Sequence, residues 1–335
     1  MQKNKIQRAF YIISILVIPF ILCSCSNKNS NKKVKLNEVT RSIFYCPQYL
    51  AIELGYFKDE NISIDLTTSN GSDKTMTSIL SSQSDIGLLG PETAIYVYNQ
   101  GRTNFAVLFA QLTKRDGSLI VGHDKTDFSW DDLKNKKIIS GRKGGLPEMT
   151  LNYVLKNNGL IKSQDTELIT NIQLDLVGTA FTKSMADYVC LFEPTASIIQ
   201  KEKKGFILRP IGKEIEEIPY TCYCCSKKYL KENSEVIQGF TNAIYKAQIF
   251  MKNSSPQEIA KIIENYFPDT ETDILISSIQ NYMEYDVWAS SPMISKSSFE
   301  LLKKIMYESD QLNSDVEFEK IINNSFAKKS VQNLA

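Results

Sequence analysis

Residues 80–93 read Leu-Ser-Ser-Gln-Ser-Asp-Ile-Gly-Leu-Leu-Gly-Pro-Glu-Thr. Ile86 to Leu89 is a short, continuous apolar run, as expected of a strand covered on both faces in a parallel sheet. Just before it, Met76, Ile79 and Leu80 recur at helical spacing. Gly90-Pro91-Glu92-Thr93 follows it. Proline loses no hydrogen bond in a first helical turn, and a carboxylate there meets the positive end of the helix. A buried strand whose carboxyl end opens into a helix is the repeating unit of layered α/β proteins.

The unit recurs outward from this stretch. Ile62, Ile64 and Leu66 alternate with Ser63 and Asp65 on a strand, and Asn70-Gly71-Ser72-Asp73 then opens a helix. Phe105 to Ala110 is a second continuous apolar strand. Later strands are expected at 118–121, 137–140, 172–177, 187–192 and 206–209, with a helix marked by Leu151, Val154 and Leu155. Gly141-Arg142-Lys143-Gly144-Gly145-Leu146-Pro147-Glu148 is a third strand-to-helix loop. From Lys227 onward the pattern turns helical: Val236, Phe240, Ile244 and Ala247 share one face, and Ile259, Ile262, Ile263 and Phe267 another. The expectation is an α/β fold of two lobes joined by two crossings, with a helical C-terminal region. In such sheets ligands bind outside the carboxyl ends of strands, where helix N-termini offer free N–H groups.

Composition excludes other classes. The 335 residues carry 39 Lys+Arg against 38 Asp+Glu, without the basic footprint of a nucleic-acid binder. Apolar residues run through the whole chain, against disorder. A single histidine, His123, rules out a site of several imidazoles within one chain and reads as a solvated loop residue. No G-x-S-x-G elbow, P-loop lysine motif or paired zinc ligands occur. Cys46, Cys190, Cys222, Cys224 and Cys225 are odd in number and irregular in spacing, unlike a disulfide framework.

The N-terminus reads as an export signal. Lys3, Lys5 and Arg8 precede an apolar run from Phe10 to Leu22, too short for a comfortable membrane span. Leu22-Cys23-Ser24-Cys25 resembles the bacterial lipobox, which implies acylation of Cys25 after removal of a lipoprotein signal peptide, 1–24. The mature chain is then formally −2, because three cations and no acid are lost. The polar stretch from Ser26 to Lys35 reads as flexible, and the tether is placed at 25–33.

Four motifs carry a family resemblance. Ser42-Ile43-Phe44-Tyr45-Cys46-Pro47-Gln48-Tyr49-Leu50-Ala51-Ile52-Glu53-Leu54-Gly55-Tyr56-Phe57 resembles the opening of the solute-binding proteins of nitrate, sulfonate, taurine and thiamine-pyrimidine ABC importers. Leu80 to Gly90 matches their "lxsGqxDiGlxG" stretch, with Ser82 where Gly is usual. Asp132 to Ile138 resembles their "DLkGKkv", with Asn135 for Gly. Cys190-Leu191-Phe192-Glu193-Pro194 resembles their "v.l.EP" strand end. The resemblance implies a two-lobed, type II periplasmic-binding-protein fold. It places lobe one at 34–119 plus 226–335, lobe two at 120–225, and hinges near Asp116–Ser118 and Tyr220–Cys225.

It also implies a non-enzymatic, monomeric receptor on the extracytoplasmic face of the cell membrane. Such a receptor needs no cofactor or metal and delivers a small-molecule solute to ABC permease and ATPase subunits. The ligand-binding candidates are Ser42, Phe44, Tyr45, Gly71, Ser72, Asp73, Gly90, Glu92, Thr93, Arg115, Arg142, Gly144, Gly145, Glu148, Glu193 and Tyr220. Helix N-termini and arginines suit an oxyanion, whereas carboxylates and aromatic faces suit an amino-heterocycle. Together they favour a small organic ligand with an anionic part and an amino or ring-nitrogen part. Two alternatives stand beside this reading. One is a pyrimidine synthase-like enzyme using Cys222, Cys224 and Cys225. The other is a surface protein that keeps the fold for adhesion or signalling.

Replacing Cys25 by Ala abolishes acylation, and the protein leaves the detergent phase in phase partitioning. Acylation that survives in Cys25→Ala but not in Cys23→Ala contradicts the assignment of the modified position.

Overall fold

The computed structural model describes residues 31–334, so the expected signal peptide, Cys25 and most of the expected tether lie outside the described residues. In chain order the first elements are β1 (Lys32–Glu38), α1 (Cys46–Glu53), α2 (Tyr56–Asp59), β2 (Ile62–Thr68), α3 (Ser72–Leu80), β3 (Ile86–Leu89), α4 (Glu92–Asn99) and β4 (Ala106–Thr113). Then come β5 (Leu119–Gly122), β6 (Lys136–Ile139), α5 (Leu146–Asn157), β7 (Thr166–Ile169), α6 (Val177–Thr182), β8 (Tyr188–Leu191), α7 (Thr195–Lys201) and β9 (Phe206–Pro210). The last part is β10 (Thr221–Ser226), α8 (Lys227–Glu232), α9 (Ser234–Lys252), α10 (Pro256–Ile263), α11 (Thr272–Glu284), α12 (Lys296–Glu308), α13 (Phe318–Ile321) and α14 (Ser325–Leu334).

Two five-stranded sheets result, in the orders β2-β1-β3-β10-β4 and β7-β6-β8-β5-β9. Within each, β1–β3 and β6–β8 pair in parallel, while β10 and β5 run antiparallel to their neighbours. The class is α/β, as the strand–helix alternation requires.

Four expectations need correction. First, the tether ends earlier than 33. β1 starts at Lys32 and pairs residue by residue with β2. Val34 and Leu36 are buried while Lys33 and Lys35 face solvent, and these lysines make a half-buried strand look like a polar linker. Second, 172–177 is no strand. It holds a 3-10 turn at Leu174–Leu176 whose two leucines are exposed. The strand is β7, an edge strand paired only with β6 and half-exposed, so its apolar signal is weak. Third, β10 pairs with β3 and β4, so 221–225 belong to the first sheet rather than the second. The return crossing therefore lies before β10, at 211–220. Fourth, His123 is half-buried: its ring stacks on Phe181 at 4.1 Å, and Nε2 lies 3.1 Å from the Ala186 carbonyl.

The two crossings run side by side. The N–H groups of Ile211, Ile218 and Tyr220 donate to the carbonyls of Ser118, Lys114 and Thr113, each at 3.0 Å. Their approach is so close at Gly212 that a Cβ there would sit 2.2 Å from the Asp116 carbonyl oxygen. Only glycine fits without moving the backbone.

The helical C-terminal region covers the first sheet and reaches the second. On α9, Val236, Phe240, Ile244 and Ala247 are all buried, as their spacing implies. The Phe240 ring meets Tyr223, Phe57 and Phe109 at 4.9, 5.0 and 5.9 Å. On α10, Ile259 and Ile263 are buried, whereas Phe267 lies past a 3-10 turn at Glu264–Tyr266. Lys201 of α7 pairs with Asp273 of α11, and Lys156 of α5 with Glu308 of α12. Phe240→Ala removes the ring at the centre of this packing. It lowers unfolding stability by about 3–5 kcal/mol in urea denaturation, and a loss well under that range means that α9 does not seat on the sheet as described.

Candidate functional site

Glu92 is the first residue of α4 and follows directly from the end of β3. Its carboxyl curls back over Gly90, where a Cβ would lie 2.1 Å from Oε2. The carboxyl lies against its own backbone N–H and that of Leu146, the first residue of α5, and both favour its ionised form. One carboxyl thus sits where two helix N-termini meet, one from each sheet. Glu92 is only 2% exposed, and its Oε2 has no hydrogen-bond partner. Burial pushes its pKa up to about 7, against the two N–H groups and Arg142, which pull it down.

Buried groups surround this carboxyl. Tyr45, Tyr96, Tyr220 and Cys222 all feel its charge, and burial holds each above its ordinary pKa, so all stay neutral. Asp116, on the outgoing crossing, accepts from the Ser118 N–H at 2.7 Å and from the Thr150 hydroxyl of α5. Tyr220 lies beside the Asp116 carboxyl and feels its charge, yet its hydroxyl, like Ser118 Oγ, completes no hydrogen bond of good geometry. Phe44 forms the wall: its ring lies 5.6 Å from Tyr220 and Phe192 and 5.5 Å from Tyr282. The Trp288 indole N–H donates to its carbonyl at 2.9 Å.

At the rim, Arg142 pairs with Asp73 across the two sheets at 2.6 Å, both about half exposed. The Tyr96 hydroxyl donates to the Gly144 carbonyl at 2.8 Å. Gly144 has a φ of +72°, a left-handed conformation that glycine adopts freely, and Gly145 caps α5.

The expected ligand residues therefore separate. Phe44, Tyr45, Gly90, Glu92 and Tyr220 converge on the buried centre. Gly71, Ser72, Asp73, Arg142, Gly144 and Gly145 stand at the rim. The remaining five are engaged in holding the fold. Glu193 accepts from Ser197 Oγ and Asn281 Nδ2 on Oε1 and from the Ser197 N–H and Ser278 Oγ on Oε2. Glu148 accepts from Lys162 Nζ and the Gly144 N–H. Arg115 donates to the carbonyls of Ile215 and Gly212 on the return crossing. Ser42 caps the turn at Ile43–Tyr45, and the Thr93 hydroxyl donates back to the Gly90 carbonyl.

Asp116 and Ser118 belong to the expected hinge rather than to the expected ligand residues, and Thr150, one polar residue on an apolar helix face, escapes sequence reasoning. The hydrogen bond of its hydroxyl to Asp116 joins α5 to the outgoing crossing.

The cysteine run at 222–225 lies on a central strand. Cys222, Cys224 and Cys225 are fully buried, and burial raises all three thiols, Cys224 to about 12. They pack as small apolar side chains. Among the described residues no group of three or more Cys, His, Asp or Glu side chains is placed to hold a metal.

Comparison with known proteins places this geometry. A family profile described as NMT1/THI5 like matches residues 44–259, more than half the chain. The chain belongs to the NMT1/THI5-like family. Its similarity extends to a Bacillus subtilis (strain 168) protein named "Putative binding protein YtlA", at 39% identity over 321 residues, 96% of each chain. The family chain also shares its fold with solved structures. The ligand-binding component of an ABC-type import system from Staphylococcus aureus has a TM-score of 0.73 at 14% identity, covering 89% of this chain and 99% of that one. The nitrate-binding protein NrtA from Synechocystis PCC 6803 gives 0.73 at 12% identity, covering 90% and 89%. The alkanesulfonate-binding protein SsuA from Xanthomonas axonopodis pv. citri, bound to MOPS, gives 0.70 at 13% identity, covering 88% and 98%. The fold is that of the periplasmic binding proteins.

The Glu92 environment carries a pH signature. Its pKa rises from 4.5 in the unfolded chain to about 7, so between these values the folded chain keeps a proton that the unfolded chain sheds. Stability of the ligand-free protein therefore falls as pH rises through that window. Glu92→Gln removes this slope and is the more stable form at about pH 8, by roughly 3 kcal/mol. Urea denaturation across pH reads the difference, and superimposable profiles contradict the buried placement.

Proposed function

We propose that this protein is a lipid-anchored, extracytoplasmic receptor that binds a small organic solute between two lobes and passes it to an ABC importer. The observation that carries the reading is the buried polar centre. Glu92 Oε2, Tyr220 Oη and Ser118 Oγ lack partners, although nearly all buried polar atoms in folded proteins have them. Glu92 lies where the N-termini of α4 and α5 meet, and the hydroxyls of Tyr220 and Ser118 lie beside the Asp116 carboxyl. A ligand with complementary donors and acceptors supplies the missing bonds. The names of YtlA and of the importer components with the same fold support the same class of function.

In this reading the first sheet and the C-terminal helices form lobe one, and the second sheet forms lobe two. The crossings at 114–118 and 211–220 are the hinge. Phe44, Tyr45, Gly90, Glu92, Ser118 and Tyr220 contact the solute. Gly71, Ser72, Asp73, Arg142, Gly144 and Gly145 close the rim over its anionic part. The solute carries an amino or ring-nitrogen part, because the buried centre offers a carboxyl and aromatic faces while its one arginine is at the rim and paired. Cys25 carries the lipid, two acyl chains being enough for stable anchoring. The receptor acts as a monomer and meets the permease through its lobes. The enzyme reading loses support because buried, protonated thiols on a central strand are poor nucleophiles and poor metal ligands.

A thermal-shift screen of the full chain against sulfonates, nitrate, amino-heterocycles and carboxylates yields a solute that stabilises it, by about 2.7 kcal/mol at a hundredfold excess over its Kd. Small-angle scattering shows compaction with the same solute. Turnover of that solute to a product sinks the receptor reading.

A further inference from the structure

The neighbours of Glu92 decide which end of a ligand it can meet. From the turn before α1 comes Tyr45; from α4 itself, Tyr96; from the α5 entry, Arg142; from α5, Glu148; from the return crossing and β10, Tyr220 and Cys222. The phenols and the thiol are neutral. Glu148 faces Tyr96 and is paired with Lys162. Arg142 is the one cation in the group, and it stands half-exposed at the rim in its pair with Asp73. Glu92 thus has no buried counter-ion.

The two helix N-termini add a second constraint. Free N–H groups there are the natural seat of an oxyanion. In this chain the Glu92 carboxyl itself stands at that seat, against its own N–H and that of Leu146. A ligand's anionic end would meet that carboxyl in its way. Its cationic end would meet Oε2, which is buried and has no hydrogen-bond partner.

We propose that Glu92 recognises the cationic N–H end of the ligand, and that binding is coupled to release of one proton from its carboxyl. The acid form, CO2H, gives its proton to the buffer and becomes the carboxylate. The ligand, an ammonium, amidinium, guanidinium or protonated ring nitrogen, keeps its own proton and donates to Oε2. Tyr220 Oη and Ser118 Oγ take remaining bonds. The position of Glu92 near its ionisation midpoint makes the proton easy to give up at neutral pH. This inference rests on the receptor reading of the same cleft and adds the polarity of the bound solute.

The test follows the Glu92 carboxyl by carbon-13 NMR in the full chain, assigned by its loss in Glu92→Gln. In the ligand-free protein the signal titrates near neutrality. Saturating methylguanidinium or benzamidinium lowers its midpoint by at least about one pH unit, equivalent to tenfold in affinity, whereas ethanesulfonate leaves it unmoved. A carboxyl that titrates in the ordinary carboxylate range overturns the proposal. So does a midpoint that no cation moves, or that ethanesulfonate moves equally. A screened solute that stabilises wild type and Glu92→Gln alike overturns this inference and leaves the receptor standing. Cation-dependent NMR shifts without any stabilising solute in the screen count against the receptor instead.

Discussion

The antiparallel return of β10 is the constraint on which the rest depends. Thr221–Ser226 inserts between β3 and β4 and pairs with both. The chain must therefore leave the first sheet after β4, build the second, and come back. Two crossings are forced to lie together, and hydrogen bonds between them form a narrow double strand between lobes. The Thr113 and Thr221 hydroxyls, 2.6 Å apart, fasten the end of that strand to the sheet. The insertion also fixes what the buried centre contains. Cys222 is opposite Leu89, the last residue of β3, so Tyr220 and the crossing stand beside the Gly90–Glu92 turn.

The buried carboxyls show where the structure departs from ordinary practice. Glu38, fully buried at the end of β1, accepts from Gln48, Tyr49 and Thr68 and pairs with Arg41. Glu193 has four donors and Glu148 two, one of them an ammonium group. Each is held at the cost of desolvation, offset by a full set of bonds. Glu92 alone keeps an unpartnered oxygen among these four. A carboxyl this deep with an open lone pair is poorly compensated in the empty protein. In the proposed receptor that imbalance is what a bound donor corrects, which ties stability against pH and recognition to one residue.

Much of the fold can be read from the sequence, and the two misread strands share one cause. Ile86–Leu89 is legible because all four residues are buried, so the apolar run is unbroken. The α9 face is legible because 19 residues of helix give a long periodic signal. β1 and β7 are not, because exposure on one face interleaves lysines or polar residues with the apolar ones. Around the buried centre, Gly90 and Glu92 are legible from a loop at a strand end, and Phe44 and Tyr45 from the aromatic opening of the chain. Glu193 looks like a ligand carboxylate for the same reason, but its donors Ser278 and Asn281 lie 85 and 88 positions along the chain. No local pattern reports a partner that distant. Thr150 is hidden likewise, since its partner Asp116 lies 34 positions away on the crossing.

Closure of the two lobes around a solute is the central claim, and an interlobe distance tests it most directly. Lys74 and Lys143 are exposed next to Asp73 and Arg142, on opposite sides of the rim, and the five cysteines among the described residues are buried. Spin labels on Lys74→Cys and Lys143→Cys therefore report the opening by electron–electron double resonance. The account predicts a broad distribution of longer distances in the empty protein that collapses to one short distance when the stabilising solute is bound. A distribution unchanged by a saturating solute would contradict it.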